Sequence, residues 1–191
     1  MISYIEGEIL EIGFFAKQIY VVVLVGGVGY KVFVPVGDVY DVGSKVSLFT
    51  SFQVREDSQS LYGFFKKEQK DMFETILNVS GVGPKVSLAV VSTFSPRKFR
   101  NILLKGDYKS LSKVKGLGQK GSKKIVLELQ GIYVKDEEEI SSEILDELSD
   151  ALDALGFQGR EKEKFLKKAK DFYKENPEVP IETLISFVLK K

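Results

Sequence analysis

The chain has 191 residues, 43% of them hydrophobic, and its 28 basic side chains nearly balance 27 acidic ones, a composition that can bury a core and excludes wholesale disorder. It contains no Cys, His or Trp and no G-x-x-x-x-G-K-[ST] phosphate loop, which removes disulfides, thiolate nucleophiles, Cys- or His-ligated metals, Ser-His-Asp triads and the usual route of ATP hydrolysis; no cofactor and no metal are expected. The longest uncharged apolar window, residues 18–30, is too short and too glycine-broken to span a bilayer, and the amino terminus shows no signal-peptide pattern, so the expectation is a cytoplasmic protein without a membrane partner.

Residues 1–64 read as strands. Ile2–Ile12, Ile19–Val25, Tyr30–Pro35, Lys45–Val54 and Ser60–Phe64 are rich in Val, Ile, Phe and Tyr and are punctuated by Gly13, Gly26–Gly27, Gly37 and Gly43. Five short strands at this spacing suit an OB-type barrel better than a sandwich. Between the fourth and fifth strands lies the polar tip Arg55-Glu56-Asp57-Ser58-Gln59. A solvated hairpin turn accounts for its two adjacent carboxylates, because Asp bonds readily to nearby backbone.

From about Lys66 the periodicity becomes helical, with Met72, Phe73, Ile76 and Leu77 on one face. The stretch Val79-Ser80-Gly81-Val82-Gly83-Pro84-Lys85-Val86-Ser87 then recurs 35 residues later as Val114-Lys115-Gly116-Leu117-Gly118-Gln119-Lys120-Gly121-Ser122. Each copy follows a helix-compatible stretch and opens another, Pro84 onward and Gln119–Leu129, so the segment 65–135 reads as helix, glycine hairpin, helix, twice. Glycines flanking one apolar residue let backbone approach a phosphate closely, while the next helix offers unpaired N–H groups and the positive end of its dipole. Val82 and Leu117 are expected to pin the hairpins into the core, and Lys85 and Lys120 to add charge in the first helical turn.

Charge supports this reading. Residues 1–66 carry 5 basic and 7 acidic side chains, residues 67–135 carry 14 and 5, and residues 136–191 carry 9 and 15, so the middle third alone is strongly basic at net +9. A lysine-rich solvated surface explains the charge equally well by itself, and one G-x-G alone is weak evidence. Two matching copies in a basic segment favour a polyanion, bound without reading base edges. A dinucleotide site wants a preceding strand and a third glycine at another spacing.

Residues 136–142 begin with an acidic run, Asp136-Glu137-Glu138-Glu139, and read as a solvated linker without the geometry of a metal site. Beyond it three apolar stripes over 143–191, Leu145–Leu155 ending at Gly156, Phe165–Tyr173 stopped by Asn176-Pro177, and Ile181–Leu189, predict three short helices in an acidic bundle. The chain is therefore expected to be multidomain, β then α: a five-stranded OB-type barrel, a tandem helix-hairpin-helix domain and a three-helix bundle.

The order of motifs, a barrel with Val54-Arg55-Glu56-Asp57 and Leu61-Tyr62-Gly63-Phe64 followed by Gly81-Val82-Gly83-Pro84-Lys85 and Gly116-Leu117-Gly118, resembles the RuvA family, the Holliday-junction-binding subunits of bacterial branch migration, across essentially the whole chain. The resemblance implies a non-catalytic subunit of homologous recombination and DNA repair. It further implies a homotetramer holding a four-way DNA junction open and flat, with one tetramer or two per junction. The DNA-contacting set carried over by motif is Ser80, Gly81, Gly83, Lys85, Gly116, Gly118, Lys120 and Lys124, and Glu56 and Asp57 match the family's acidic pin. Residues 143–191 would dock the ATP-driven RuvB motor, and a RuvC resolvase is a further partner by resemblance. Gln119 and Gly121 depart from the family's usual Lys and Thr, and Gly121 should weaken its helix by about 1 kcal/mol relative to Ala.

Two other classes stay open. A DNA-lesion enzyme could use Lys115 or Lys120 as nucleophile with Asp136 as the carboxylate. A scaffold could bind single strands through the barrel, although that segment's net −2 argues against a basic groove.

Overall fold

The computed structural model describes residues 1–56, 58–176 and 179–190, with side chains described outside 133–143 and 174–175. Five strands, β1 (Tyr4–Phe15), β2 (Gln18–Val25), β3 (Val28–Val34), β4 (Lys45–Val54) and β5 (Gln59–Phe64), close a barrel in the order β1-β2-β3-β5-β4. All pairings are antiparallel except the short parallel contact of β3 with β5. Inward-facing apolar residues drive the closure. Ile5 and Ile9, Val21 and Val23, Val32 and Val34, and Val46 and Leu48 point inward to one core with Leu61, each such burial contributing about 1.5–3 kcal/mol.

The expected OB-type barrel is present, but Gly13 does not punctuate it. It lies inside β1 opposite Tyr20, whose ring fills the space a β-carbon at position 13 would need. The Tyr20 hydroxyl donates to Glu11 at 2.6 Å, and that bond is the main cause of its raised pKa. The turn comes later, at Ala16 and Lys17, both with positive φ as a tight two-residue hairpin demands.

Helices follow: α1 (Lys67–Leu77), α2 (Pro84–Thr93), α3 (Pro96–Leu104), α4 (Tyr108–Leu111), α5 (Gln119–Ala154), α6 (Gly159–Glu175) and α7 (Ile181–Leu189). The first unit, Met1–Gly131, joins the barrel to the hairpin helices. Phe73 of α1, fully buried, packs its ring on Phe64 at 5.1 Å and on Tyr62 at 4.9 Å between centroids. The Val36 N–H donates to Ser92 Oγ of α2 at 2.9 Å. This packing holds the end of the β4–β5 hairpin beside the loop between α1 and α2. Ser95 caps α3 by accepting from the Lys98 N–H, with Pro96 in the first turn; Asp107 caps the one-turn α4 by accepting from Ser110.

Residues 136–142, expected as a linker, lie within α5, whose backbone is helical from Gln119 to Ala154. Neither Gly nor Pro occurs between Gly131 and Gly156, and the Glu, Lys, Leu and Ala content favours helix over loop. The bundle's first helix is thus the end of α5 and not a separate short element. The second unit, Ile132–Lys191, has its own core of Leu148, Leu152, Ala169, Tyr173, Leu184 and Val188. A Schellman pair, Phe157 N–H to the Leu152 carbonyl and Gly156 N–H to the Asp153 carbonyl, ends α5, and Lys168 Nζ donates to the carbonyls of Phe187, Val188 and Lys190 at the end of α7. Among the described residues no helix is long and apolar enough to cross a membrane, and no group of carboxylates is placed to hold a metal.

Candidate nucleic-acid interface

The two sequence repeats fold into similar hairpins that share three hydrogen bonds at equivalent positions. In the first, Val82 N–H donates to the Val79 carbonyl at 3.0 Å, while the Ser87 N–H and hydroxyl both donate to the Gly83 carbonyl. In the second, Leu117 N–H donates to the Val114 carbonyl at 3.0 Å, while the Ser122 N–H and hydroxyl both donate to the Gly118 carbonyl. Gly81 and Gly116 occupy equivalent left-handed positions, φ +84° and +87°, which an L side chain adopts only at a cost. The buried serines explain the Val, Gly, Gly, Lys, Ser spacing, since each hydroxyl holds the carbonyl that starts a helix.

These bonds leave a repeated set of donors. Among the described residues the N–H groups of Gly81, Gly83 and Lys85 donate to no backbone carbonyl, nor do those of Gly116, Gly118 and Lys120. Gly83 precedes α2 and Gly118 precedes α5, so each set faces a helix amino terminus, where partial positive charge favours a phosphate. The hairpins are neighbours: a β-carbon built on Gly116 would lie 3.8 Å from Val86 Cγ2. Two similar sets of backbone N–H groups thus lie side by side.

The carried-over residues gather around these N–H groups. Ser80, Gly81, Lys85, Gly116, Gly118 and Lys120 are exposed and Gly83 is half-buried, with both lysines in the first turn of their helices. Lys124 lies one turn further along α5, its Nζ 3.6 Å from Glu128; such a surface pair is worth only about 0.3–0.5 kcal/mol and yields readily to a phosphate. Leu117, 4% exposed, anchors its hairpin as expected, whereas Val82 is only half-buried. The helices before the hairpins are unequal, since α1 has 11 residues and α4 only 4.

On the barrel side, the Arg55 N–H donates to the Ser58 carbonyl at 2.8 Å and closes the tip that carries exposed Glu56; Asp57 lies outside the described residues. A cleft of about 370 Å³ separates this end of the β4–β5 hairpin from the first glycine hairpin, with Gln53, Arg55, Ser60 and Tyr62 on one wall and Gly83 and Lys85 on the other. The Arg55 guanidinium comes across it, so that a β-carbon at Gly83 would be 3.6 Å from Nη2. Burial pushes the Tyr62 phenol up, while Ser60, Arg55 and Gln18 pull it partway back. In the sequence Arg55 carries one local signal, a cation beside two carboxylates.

A closed barrel packed on paired hairpins, with backbone N–H groups and exposed lysines at two helix starts, defines a protein of the helix-hairpin-helix class that grips a nucleic-acid backbone. Two family models match it, the RuvA N terminal domain over residues 1–63 and the SAM-like helix-hairpin-helix tandem over residues 73–130. Proteins named Holliday junction branch migration complex subunit RuvA are similar along most of the chain: that of Natranaerobius thermophilus is 40% identical over 189 residues, 86% of either chain, and that of Desulforamulus reducens 37% identical over 201 residues, covering 100% of this chain and 98% of its own. That of Thermoanaerobacter sp. is 41% identical over 165 residues, 82% of this chain and 84% of its own. The chain belongs to the RuvA family.

Proposed function

We propose that this chain is the DNA-binding subunit of a branch-migration complex, recognising four-way Holliday junctions by structure rather than sequence and holding them open and flat for a separate ATP-driven motor in recombination and repair. The observation that carries the reading is the duplicated hairpin, two adjacent cradles of backbone N–H groups packed in one unit with the barrel that bears the acidic tip. Donors of this kind meet phosphates and cannot read base edges. The contacts proposed are Ser80, Gly81, Gly83 and Lys85 in the first hairpin and Gly116, Gly118, Lys120 and Lys124 in the second.

Four copies around a junction would bring four tips to its centre, so Glu56 and Asp57 would there present eight carboxylates. Repulsion between these and phosphate disfavours a continuous duplex at the centre and steers strands apart at the crossover. The bundle over 143–191 is proposed to dock the RuvB motor, with a RuvC resolvase as a further partner, in the cytoplasm. Chemistry on the DNA has no support: the nucleophile-and-carboxylate alternative rests on Lys115 or Lys120 with Asp136, whose side chain lies outside those described.

The test is functional. With RuvB and ATP the chain should drive a synthetic four-way junction to two duplexes, and without RuvB it should bind the junction and leave it covalently and topologically unchanged. Strand cleavage or base release by the purified chain would defeat the reading.

A further inference from the structure

The tip and the first hairpin are joined by a cationic cleft that the two carboxylates and the two cradles do not explain. Arg55 lies immediately before Glu56, at the barrel wall, and its guanidinium reaches toward Gly83 at the start of α2. Lys85 stands on the opposite wall. Both are exposed, and among the described residues neither is paired with a carboxylate. Gln53, Ser60 and Tyr62 line the cleft beside Arg55 with polar groups. Two cations on opposite walls of one open cleft suit a phosphodiester entering from the hairpin side; a planar guanidinium with several donors can hold such a group bidentately.

We propose that Arg55 is the residue that makes this site select a junction over continuous duplex, by binding a phosphate of the strand that turns away at the crossover. The inference rests on the junction-binding reading above. A strand leaving the first cradle toward the tip has two continuations. If it runs straight on, it meets Glu56 and is repelled; if it turns into the cleft, it meets Arg55. One position supplies the penalty and its neighbour the reward, so the discrimination comes from adjacent charges of opposite sign. Lys85, by contrast, lies in the cradle and serves any duplex.

The experiment compares Arg55→Ala, Arg55→Lys and Lys85→Ala with the unaltered chain, each checked for folding by circular dichroism and thermal melting, on a synthetic four-way junction and a linear duplex of the same arm sequence across a salt series. Arg55→Ala should lose about tenfold or more on the junction and less than about twofold on the duplex, and the junction salt slope should fall by about 0.9 for each Arg55 engaged. Arg55→Lys should recover part of the loss by keeping the charge without the fork. Equal loss on both substrates would make Arg55 one more cradle contact and overturn the proposal, as would no loss on either. If the unaltered chain shows no junction preference, the function reading fails instead; if that preference stands and survives Arg55→Ala, only this inference fails.

Discussion

Leu117 Cδ1 occupies the space beside Gly121: a β-carbon built there would lie 2.8 Å from it. Leu117 is the buried anchor of the second hairpin, so the missing side chain at 121 is the complement of a filled one at 117 and not merely a weak point in α5. Two effects compete in Gly121→Ala, a helix-propensity gain of up to about 1 kcal/mol and an overpacking cost of about 1–3 kcal/mol. The contact is with buried Leu117, so the cost should win. Thermal unfolding should show Gly121→Ala less stable, whereas in a Leu117→Ala background the same change should stabilise. A rise in Tm for the single variant would contradict this.

Lys85→Ala should weaken binding to junction and to duplex together, whatever the sequence, and lower the salt slope by about 0.9 per contact removed. Its ammonium is exposed, in the first turn of α2 and without a carboxylate partner among the described residues, so it is available to any phosphate in the cradle. Titration of labelled DNA at several salt concentrations checks this, and a loss confined to one sequence would count against it.

Neutralising the tip, Glu56→Gln with Asp57→Asn, removes repulsion and touches no cradle. Duplex affinity should rise by several-fold while junction affinity stays level or increases. Competition between the two DNAs gives the ratio directly, and an unchanged junction-to-duplex preference would show that the carboxylates do not discriminate.

Removal of residues 143–191 should abolish stimulation of the RuvB motor while sparing junction binding. The bundle core from Leu148 to Val188 is drawn wholly from the second unit, and the barrel and hairpins keep their own packing through Phe73. Loss of both activities together would refute that separation of roles.

What the sequence revealed follows the range of the physics involved. The strands were readable because runs rich in Val, Ile, Phe and Tyr between glycines are a local signal, and the hairpins because their Val, Gly, Gly, Lys, Ser spacing repeats. Gly13 misled because a glycine inside a strand can answer a facing ring as well as a turn, and the actual turn uses Ala16 and Lys17, neither of which advertises positive φ. The acidic run at 136–139 looked like a linker by charge, yet helix propensity without Gly or Pro carried α5 through it. Arg55 stayed hidden because its placement depends on folding the β4–β5 end against a loop nearly thirty residues further on, a relation no local pattern encodes.

The most direct measurement is the affinity of the purified full chain for a four-way junction and for linear duplex, each made in two permuted sequences, over a salt series in EDTA. Junction binding should be tight and the same for both sequences, with a clear preference over duplex and steep salt dependence throughout. Equal affinity for junction and duplex, or a preference that follows sequence, would contradict junction recognition by structure.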